Sequence, residues 1–252
     1  MQKCETDSGY ESPQLSRSGL TVAVNGCYRD PTGLGAWIIH RGKRTRFLGV
    51  DDGLLAFAGD DRLLIARNTR NGAFAIDRWP VRDPGRRSEQ VARFGTPKVN
   101  EEVFGLDVPA AGDRAVVVAG RRLPYPNTTP PQTNVWVVSL TTGTSRTVPG
   151  ITDAERAVWG RKGSLIVQHS TRWTTVDPAT GKTTAFAPRP TDAMYGHCEL
   201  AGAARRGLIA WCPATASLLR IEPGGKTTAR TTLKTKRTSP AEVSVAVDAL
   251  GW

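Results

Sequence analysis

The sequence predicts an all-β fold made of repeated four-stranded units. Three observations carry this reading. Two stretches, WVVSLTTGTSRTV from Trp136 and WTTVDPATGKTTAF from Trp173, repeat one phrase: an aromatic, a short alternating run, a turn with Thr and Gly, and a Thr-rich return. Strongly apolar short runs also recur, and with Leu20, Leu63, Ala115, Leu165 and Leu208 taken as equivalent the spacings are 43, 52, 50 and 43 residues. A period of roughly 40–50 residues is that of a four-stranded propeller blade, the longer steps carrying loop insertions. Finally, no long stretch repeats its apolar residues every 3.6 positions, whereas Thr, Val, Gly and Pro are plentiful, as strands and tight turns require. The fold class is therefore a β-propeller of about five blades.

The units follow in order. The apolar strands are GLTVAV from Gly19, DRLLIAR from Asp61, DRAVVVAG from Asp113, GSLIVQH from Gly163 and GLIAWC from Gly207. Each is followed by a hairpin: WIIHRGKRTRFL from Trp37, AFAIDRWP from Ala73, the two phrases from Trp136 and Trp173, and LLRIEPGGKTTAR from Leu218. Alternating side chains running into a Gly-containing turn mark a hairpin with one buried face. The second hairpin continues through DPGRR to Phe94, where a bulged or looped-out outer strand is expected. The chain ends on PAEVSVAVDALGW, whose Val243, Val245 and Val247 alternate as an innermost strand should, while Gly19 begins at a second strand. Pairing this C-terminal strand with the N-terminal blade closes the ring and hides both edges. Residues 1–16 are then an N-terminal arm, or a disordered leader, and residues 17–252 a single propeller domain. A longer parent with more blades, cut at Trp252, is the rival arrangement.

The net charge is +11, which favours anionic polymers, glycans or acidic surfaces as partners. A solvated, Arg-biased surface is the competing explanation, because the Arg residues are scattered through turns rather than gathered in a stripe. No basic-aromatic module of a nucleic-acid reader is present, so nucleic acid is not expected. No segment carries the ~18 uninterrupted apolar residues that span a bilayer. Of the four cysteines, Cys198 and Cys212 bracket CELAGAARRGLIAWC, a strand, a polar turn and a returning strand that bring the two ends opposite each other. A Cys198–Cys212 disulfide is expected, with Cys4–Cys27 by elimination; four reduced thiols in a cytosolic chain are the alternative. Disulfides imply an extracellular or cell-envelope location. The N-terminus MQKCETDSGYESPQ has no apolar core of a signal peptide, which fits a mature chain whose leader has been replaced by Met1.

The phrase VDPATGKTTAF and its relatives resemble the blade-ending hairpins of TolB-like, WD-repeat-like and related extracytoplasmic β-propellers. The resemblance covers about residues 17 to 250 and implies the fold, not a function, since such blades serve many tasks. The His and Trp-Asp signature of true WD repeats is absent.

In a propeller the residues leading into each innermost strand crowd around the central channel. Those positions carry an acid in every unit: Asp52, Glu101 and Glu102, Asp153 and Glu155, Asp192, and Glu242. Asp52, Glu102, Asp153, Asp192 and Glu242, with His197 at the same level, are therefore the candidate ligand-binding rim. Converging carboxylates suit a cation, Ca2+ being the natural choice for oxygen ligands, or a sugar; two of them at glycosidase spacing would make an acid and base. The competing structural role is acceptance of backbone N–H bonds at loop-to-strand turns. Five-bladed glycosidases and fructosyl-transferring enzymes do use acids at such positions, so the resemblance also implies an enzyme as a second possibility, although their flanking signatures are not found here. The cysteine spacing is not that of a zinc site, no metal is assigned and no cofactor is required, Ca2+ excepted. His40 and His169 show no partnering spacing, and no GxSxG or phosphate loop occurs.

A second surface is the insertion RRLPYPNTTPPQTN, whose Arg121, Arg122 and Tyr125 fit a projecting recognition loop. Trp37, Trp136 and Trp173 read as equivalent blade-to-blade packing residues, while Trp79 and Trp159 suit either packing or stacking on a sugar. The function expected is a secreted or cell-envelope binding or scaffolding module for a protein or an anionic polymer. A carbohydrate-active enzyme using paired channel carboxylates is the alternative.

Overall fold

In the computed structural model each apolar run lies in the second strand of its own antiparallel sheet, Leu20 excepted. The residues described are 10–16, 18, 20–26, 35–41, 43–46, 53–69, 73–83, 87–95, 101–109, 111–121, 132–193, 196–204 and 206–232. The first blade is β1 (Tyr10–Leu15), β2 (Thr21–Gly26), β3 (Gly35–His40) and β4 (Lys43–Arg46). The second is β5 (Leu54–Phe57), β6 (Arg62–Asn68), β7 (Phe74–Pro80) and β8 (Glu89–Phe94). The third is β9 (Glu101–Asp107), β10 (Arg114–Arg121), β11 (Gln132–Ser139) and β12 (Ser145–Thr147). The fourth is β13 (Arg156–Trp159), β14 (Leu165–Gln168), β15 (Arg172–Val176) and β16 (Thr183–Pro188). A two-stranded piece, β17 (Thr191–Asp192) with β18 (Gly196–His197), leads into the fifth: β19 (Glu199–Ala204), β20 (Gly207–Cys212), β21 (Ser217–Ile221) and β22 (Thr227–Thr232). Innermost strands touch in succession, β1 with β5, β5 with β9, β9 with β13 and β13 with β19. The arrangement is a five-bladed β-propeller.

The second strands explain why their sequences are continuously apolar. Along β10, Ala115, Val117 and Ala119 pack on the second blade, against Leu64, Phe74, Ile76 and Phe94. Val116 and Val118 pack on the fourth, against Ala157, Leu165, Val167 and Val176. Successive side chains point to opposite faces, so a strand sandwiched between blades has no polar side to present. Leu63, Ala115, Leu165 and Leu208 are all fully buried. Leu20 is not their equivalent: it precedes β2 and is 48% exposed, and Ala23 takes the buried place.

The ladder also corrects the alignment of the tryptophans. Val117 pairs with Trp136, whereas Val167, its counterpart in the fourth blade, pairs with Thr174, and Trp173 pairs with Gln168. The two indoles therefore stand one residue out of register and on opposite faces. Trp136 packs back on Phe94 of the second blade, ring centroids 5.5 Å apart; Trp173 packs forward with Leu200 and Leu208 of the fifth. Both are blade-to-blade residues, looking in opposite directions. The Trp37 side chain lies outside the described residues.

The repeated Thr/Gly turns have one task. In the last three blades the outer turn lies against the outer strand of the blade before it or the residues just after that strand: Gly143 on Val91, Gly181 on Pro149, and Gly225 on Ala187 and Pro188. Gly181, at φ +73°, lies so close that a Cβ would collide with the Pro149 carbonyl. The preceding Asp177 shapes that turn by accepting the Ala179 N–H at 2.8 Å and the Thr180 hydroxyl at 3.0 Å. Those bonds hold its carboxyl below the usual carboxylate range. Arg146 of β12 donates to the Pro178 carbonyl in the same turn, a further tie between blades.

Residues 10–15, placed on sequence in an arm, pair with β2 as the first strand of the first sheet. Pro13 is tolerated there because β1 is an edge strand with a register shift between Glu11 and Gln14. The C-terminal strand around Val243, Val245 and Val247, and the Cys4–Cys27 pair, lie outside the described residues. The expected irregularity in the second blade is present: β8 pairs with β7 across a shift between Ile76 and Asp77. Cys198 and Cys212 form the expected disulfide, Cα atoms 4.4 Å apart, because Glu199 pairs with Trp211 and sets the two cysteines opposite each other. No helix among the described residues is long and apolar enough to cross a membrane.

Candidate functional site

Antiparallel order puts the start of strand 1, the turn between strands 2 and 3 and the end of strand 4 of every blade on one face of the ring. Glu102, Asp153 and Glu155 lie on this face, as does Arg121 at the end of β10. Between the fourth and fifth blades the acids hydrogen-bond to neighbouring side chains, although the Asp153 carboxyl is still 44% exposed. Asp153 Oδ1 lies 2.9 Å from His169 Nδ1, and His169 Nε2 lies 2.9 Å from Thr174 Oγ1. A carboxylate only accepts, so with the ring proton on Nδ1 the imidazole donates to Asp153 and accepts from the Thr174 hydroxyl. The order acid, imidazole, hydroxyl is that of a proton relay, but Thr174 is buried, and a substrate has no access to its oxygen. The chain fixes the turn after β14.

A second network starts at Glu155. Its Oε2 accepts from Gln168 Nε2 at 3.1 Å and from Arg189 at 2.7 Å. Gln168 Oε1 accepts the Leu200 N–H at 2.6 Å and the Trp173 indole N–H at 3.4 Å, satisfying two buried donors with one amide. Arg189 also donates to the carbonyls of His169, Ser170 and Cys198, at 2.9, 2.8 and 3.0 Å. Its side chain is only 7% exposed. One guanidinium therefore stitches the fourth blade to the start of the fifth, using the fork of donors that Lys lacks.

Of the other expected rim residues, Glu102 is exposed in β9, opposite Gly120. Beside it Glu101 pairs across the ladder with Arg121, which is exposed. Asp192 does not lead into the innermost strand of the fifth blade; that strand is β19, led by Glu199. Asp192 is buried in β17, where its Oδ2 accepts the Ala214 N–H at 3.0 Å. His197 lies in β18 opposite Thr191, its Nδ1 buried without a hydrogen-bond partner among the described residues. Asp52, Glu242, Arg122 and Tyr125 lie outside the described residues.

Sequence reading missed His169, Gln168 and Arg189. The only local hint is that QHS follows the apolar run of β14, just where an acid one hairpin earlier comes alongside; Glu155 N donates to the Gln168 carbonyl at 2.8 Å.

On the opposite face, where Asp177 also lies, burial acts on Asp107 in the other direction. Asp107 ends β9 and accepts the Trp159 N–H of β13 at 2.7 Å. Packing by surrounding protein raises its carboxyl to about 6, against the opposing pull of that bond and of Arg156. Part of the residue still meets solvent. Nearby, the Arg114 guanidinium covers the Trp159 ring, 4.4 Å from its centroid. Trp159 is buried in the packing between the third and fourth blades.

Converging rim acids would suit a Ca2+ cage. Such a cage takes six to eight oxygens at about 2.3–2.6 Å. Among the described residues Asp153 and Glu155 are committed to His169, Gln168 and Arg189, and the rim gathers no three His, Cys, Asp or Glu ligand atoms. The described rim does not fit Ca2+. One such group exists elsewhere: Asp192, Cys198 and Cys212, all buried, with ligand atoms within 4.8 Å of one another.

No family model and no curated protein sequence matches the chain. Solved structures do match in fold. The calcium-binding protein regucalcin of Agrobacterium tumefaciens superposes with a TM-score of 0.63 at 13% identity, over 89% of this chain and 74% of that one. An oligogalacturonate lyase in complex with manganese gives 0.58 at 11% identity, over 92% and 72%. TolB of Acinetobacter baumannii gives 0.51 at 13% identity, over 84% and 52%. At these identities the likeness is one of fold.

Proposed function

We propose that this chain is a secreted or cell-envelope binding propeller that recognises an anionic polymer through its cationic surface. The observation that carries the reading is the charge and its exposure: the chain has a net charge of +11, and Arg161, Lys162, Arg172, Lys182, Arg206 and Lys226 are exposed. A net excess of positive charge raises the local concentration of a polyanion and speeds its capture. The Cys198–Cys212 disulfide supports maturation outside the cytoplasm, as does the likeness in fold to TolB. The rim supports binding over catalysis, because Asp153 and Glu155 are held by their own blade and the next.

The test is capture of labelled polygalacturonate, polyphosphate and neutral dextran by the purified chain at low salt. Retention of the two polyanions but not dextran, lost above ~0.3 M salt, is the expected result. Equal retention of dextran, or none of any polymer, contradicts the reading.

A second reading, a carbohydrate-active enzyme, is favoured by one observation: the carboxyl of Asp107, raised to about 6, is in the range of a general acid at neutral pH. Release of oligosaccharides from a glycan panel by the unmutated chain, abolished by Asp107→Asn, would establish it; no release from any glycan sinks it.

A further inference from the structure

We propose that Asp192, Cys198 and Cys212 form a latent Zn2+ site, masked by the disulfide and opened by a two-electron thiol reductant. The three ligand atoms already lie within 4.8 Å of one another. They arrive from three separate places in the fold: β17, the residue ahead of β19, and the last residue of β20. All three are buried, at 5%, 1% and 4% exposure. Cys198 and Cys212 sit in the apolar packing of Trp173, Leu200 and Leu208. A carboxylate placed beside them is costly unless something holds it. The Ala214 N–H, 3.0 Å from Asp192 Oδ2, holds and orients it as an outer partner orients a metal ligand.

In the oxidised chain the two sulfurs are neutral and offer a cation nothing. A dithiol delivers two electrons and two protons: the S–S bond breaks, each Sγ gains a hydrogen, and the dithiol closes to its own cyclic disulfide. Zn2+ then displaces both thiol protons. Two thiolates and one carboxylate meet the dication, and water takes the fourth position. Donors around a tetrahedral Zn2+, with Zn–S of about 2.3 Å and Zn–O of about 2.0–2.2 Å, stand about 3.4–3.8 Å apart, within the span these atoms already occupy. Each cysteine lies at a strand end, Cys212 just ahead of the short 3-10 turn Pro213–Thr215, so the sulfurs can part without breaking the ladder. Thiolate donors select Zn2+ over Ca2+ or Mg2+.

The experiment uses the full chain with Cys4→Ser and Cys27→Ser, reduced by a phosphine that is then removed without air, and titrated with Co2+ as a coloured stand-in for Zn2+. The expected result is a thiolate-to-Co2+ charge-transfer band saturating at one metal per chain, absent before reduction and displaced by Zn2+. Asp192→Asn is expected to weaken binding at least ~10-fold, and Cys198→Ser to abolish the band. If reduction alone loosens the fold, circular dichroism is expected to recover on adding Zn2+. No band and no recovery, or a band unchanged by Asp192→Asn, overturns the proposal.

Discussion

Asp107 and Gln168 carry the sharpest single-residue consequences. The Asp107 carboxyl has a folded value near 6 against an ordinary 3.8, so between those values the folded chain holds a proton that the unfolded chain has lost. The contribution is present at low pH and lost as pH rises through about 6, on the order of 2–3 kcal/mol. Asp107→Asn keeps an acceptor for the Trp159 N–H without the charge. Its urea stability relative to the parent is expected to improve by ~2 kcal/mol from pH 4 to pH 7; a gap that does not change with pH contradicts the assignment. Gln168→Ala strips the acceptor from the buried Leu200 N–H and is expected to cost ~1–3 kcal/mol in the same measurement. The acids of these networks were legible as acids ahead of a strand. Their partners were not, because His169, Gln168 and Arg189 reach Asp153 and Glu155 only through the β13–β14 register and the link to the fifth blade. Asp192, expected at the channel rim, is buried in β17 beside the Cys198–Cys212 disulfide. Its place follows from strand assignment, which residue type alone does not give.

At the scale of the element, the unbroken apolar runs revealed the second strands because a strand packed on both faces leaves no room for alternation. Register was not legible: Trp136 and Trp173 open similar phrases yet differ by one position, and one position reverses the face. The Thr/Gly phrases are turns that seat each blade on the one before it. Gly150 and Gly181 share a left-handed backbone, at φ +72° and +73°, but a Cβ on Gly150 meets nothing within 4 Å while one on Gly181 meets the Pro149 carbonyl. Alanine at both removes the shared backbone effect. Gly181→Ala is expected to lose ~1–3 kcal/mol more than Gly150→Ala in chemical denaturation. Equal losses would mean that the outer turns contribute nothing to blade docking.

For the whole molecule, the disulfide and the surface charge act on different properties. The bond between Cys198 and Cys212 closes a stretch with a sequence separation of 14, and the paired Cys198→Ser and Cys212→Ser replacements are expected to cost about 3 kcal/mol of stability. They are expected to leave polymer capture largely intact, because of the exposed cations named only Arg206 lies within the closed stretch. Composition made the charge legible, but not its ligand: Asp52, Arg122, Tyr125 and Glu242, expected on sequence to take part in binding, lie outside the described residues. The most direct test of polyanion recognition is the affinity for polygalacturonate measured by anisotropy across a salt series. Binding released with counterions gives a logarithm of affinity that falls linearly with the logarithm of salt, losing about 10-fold or more between ~0.1 and ~0.3 M. Affinity that is absent at low salt, or flat across the series, would contradict an electrostatic binding propeller.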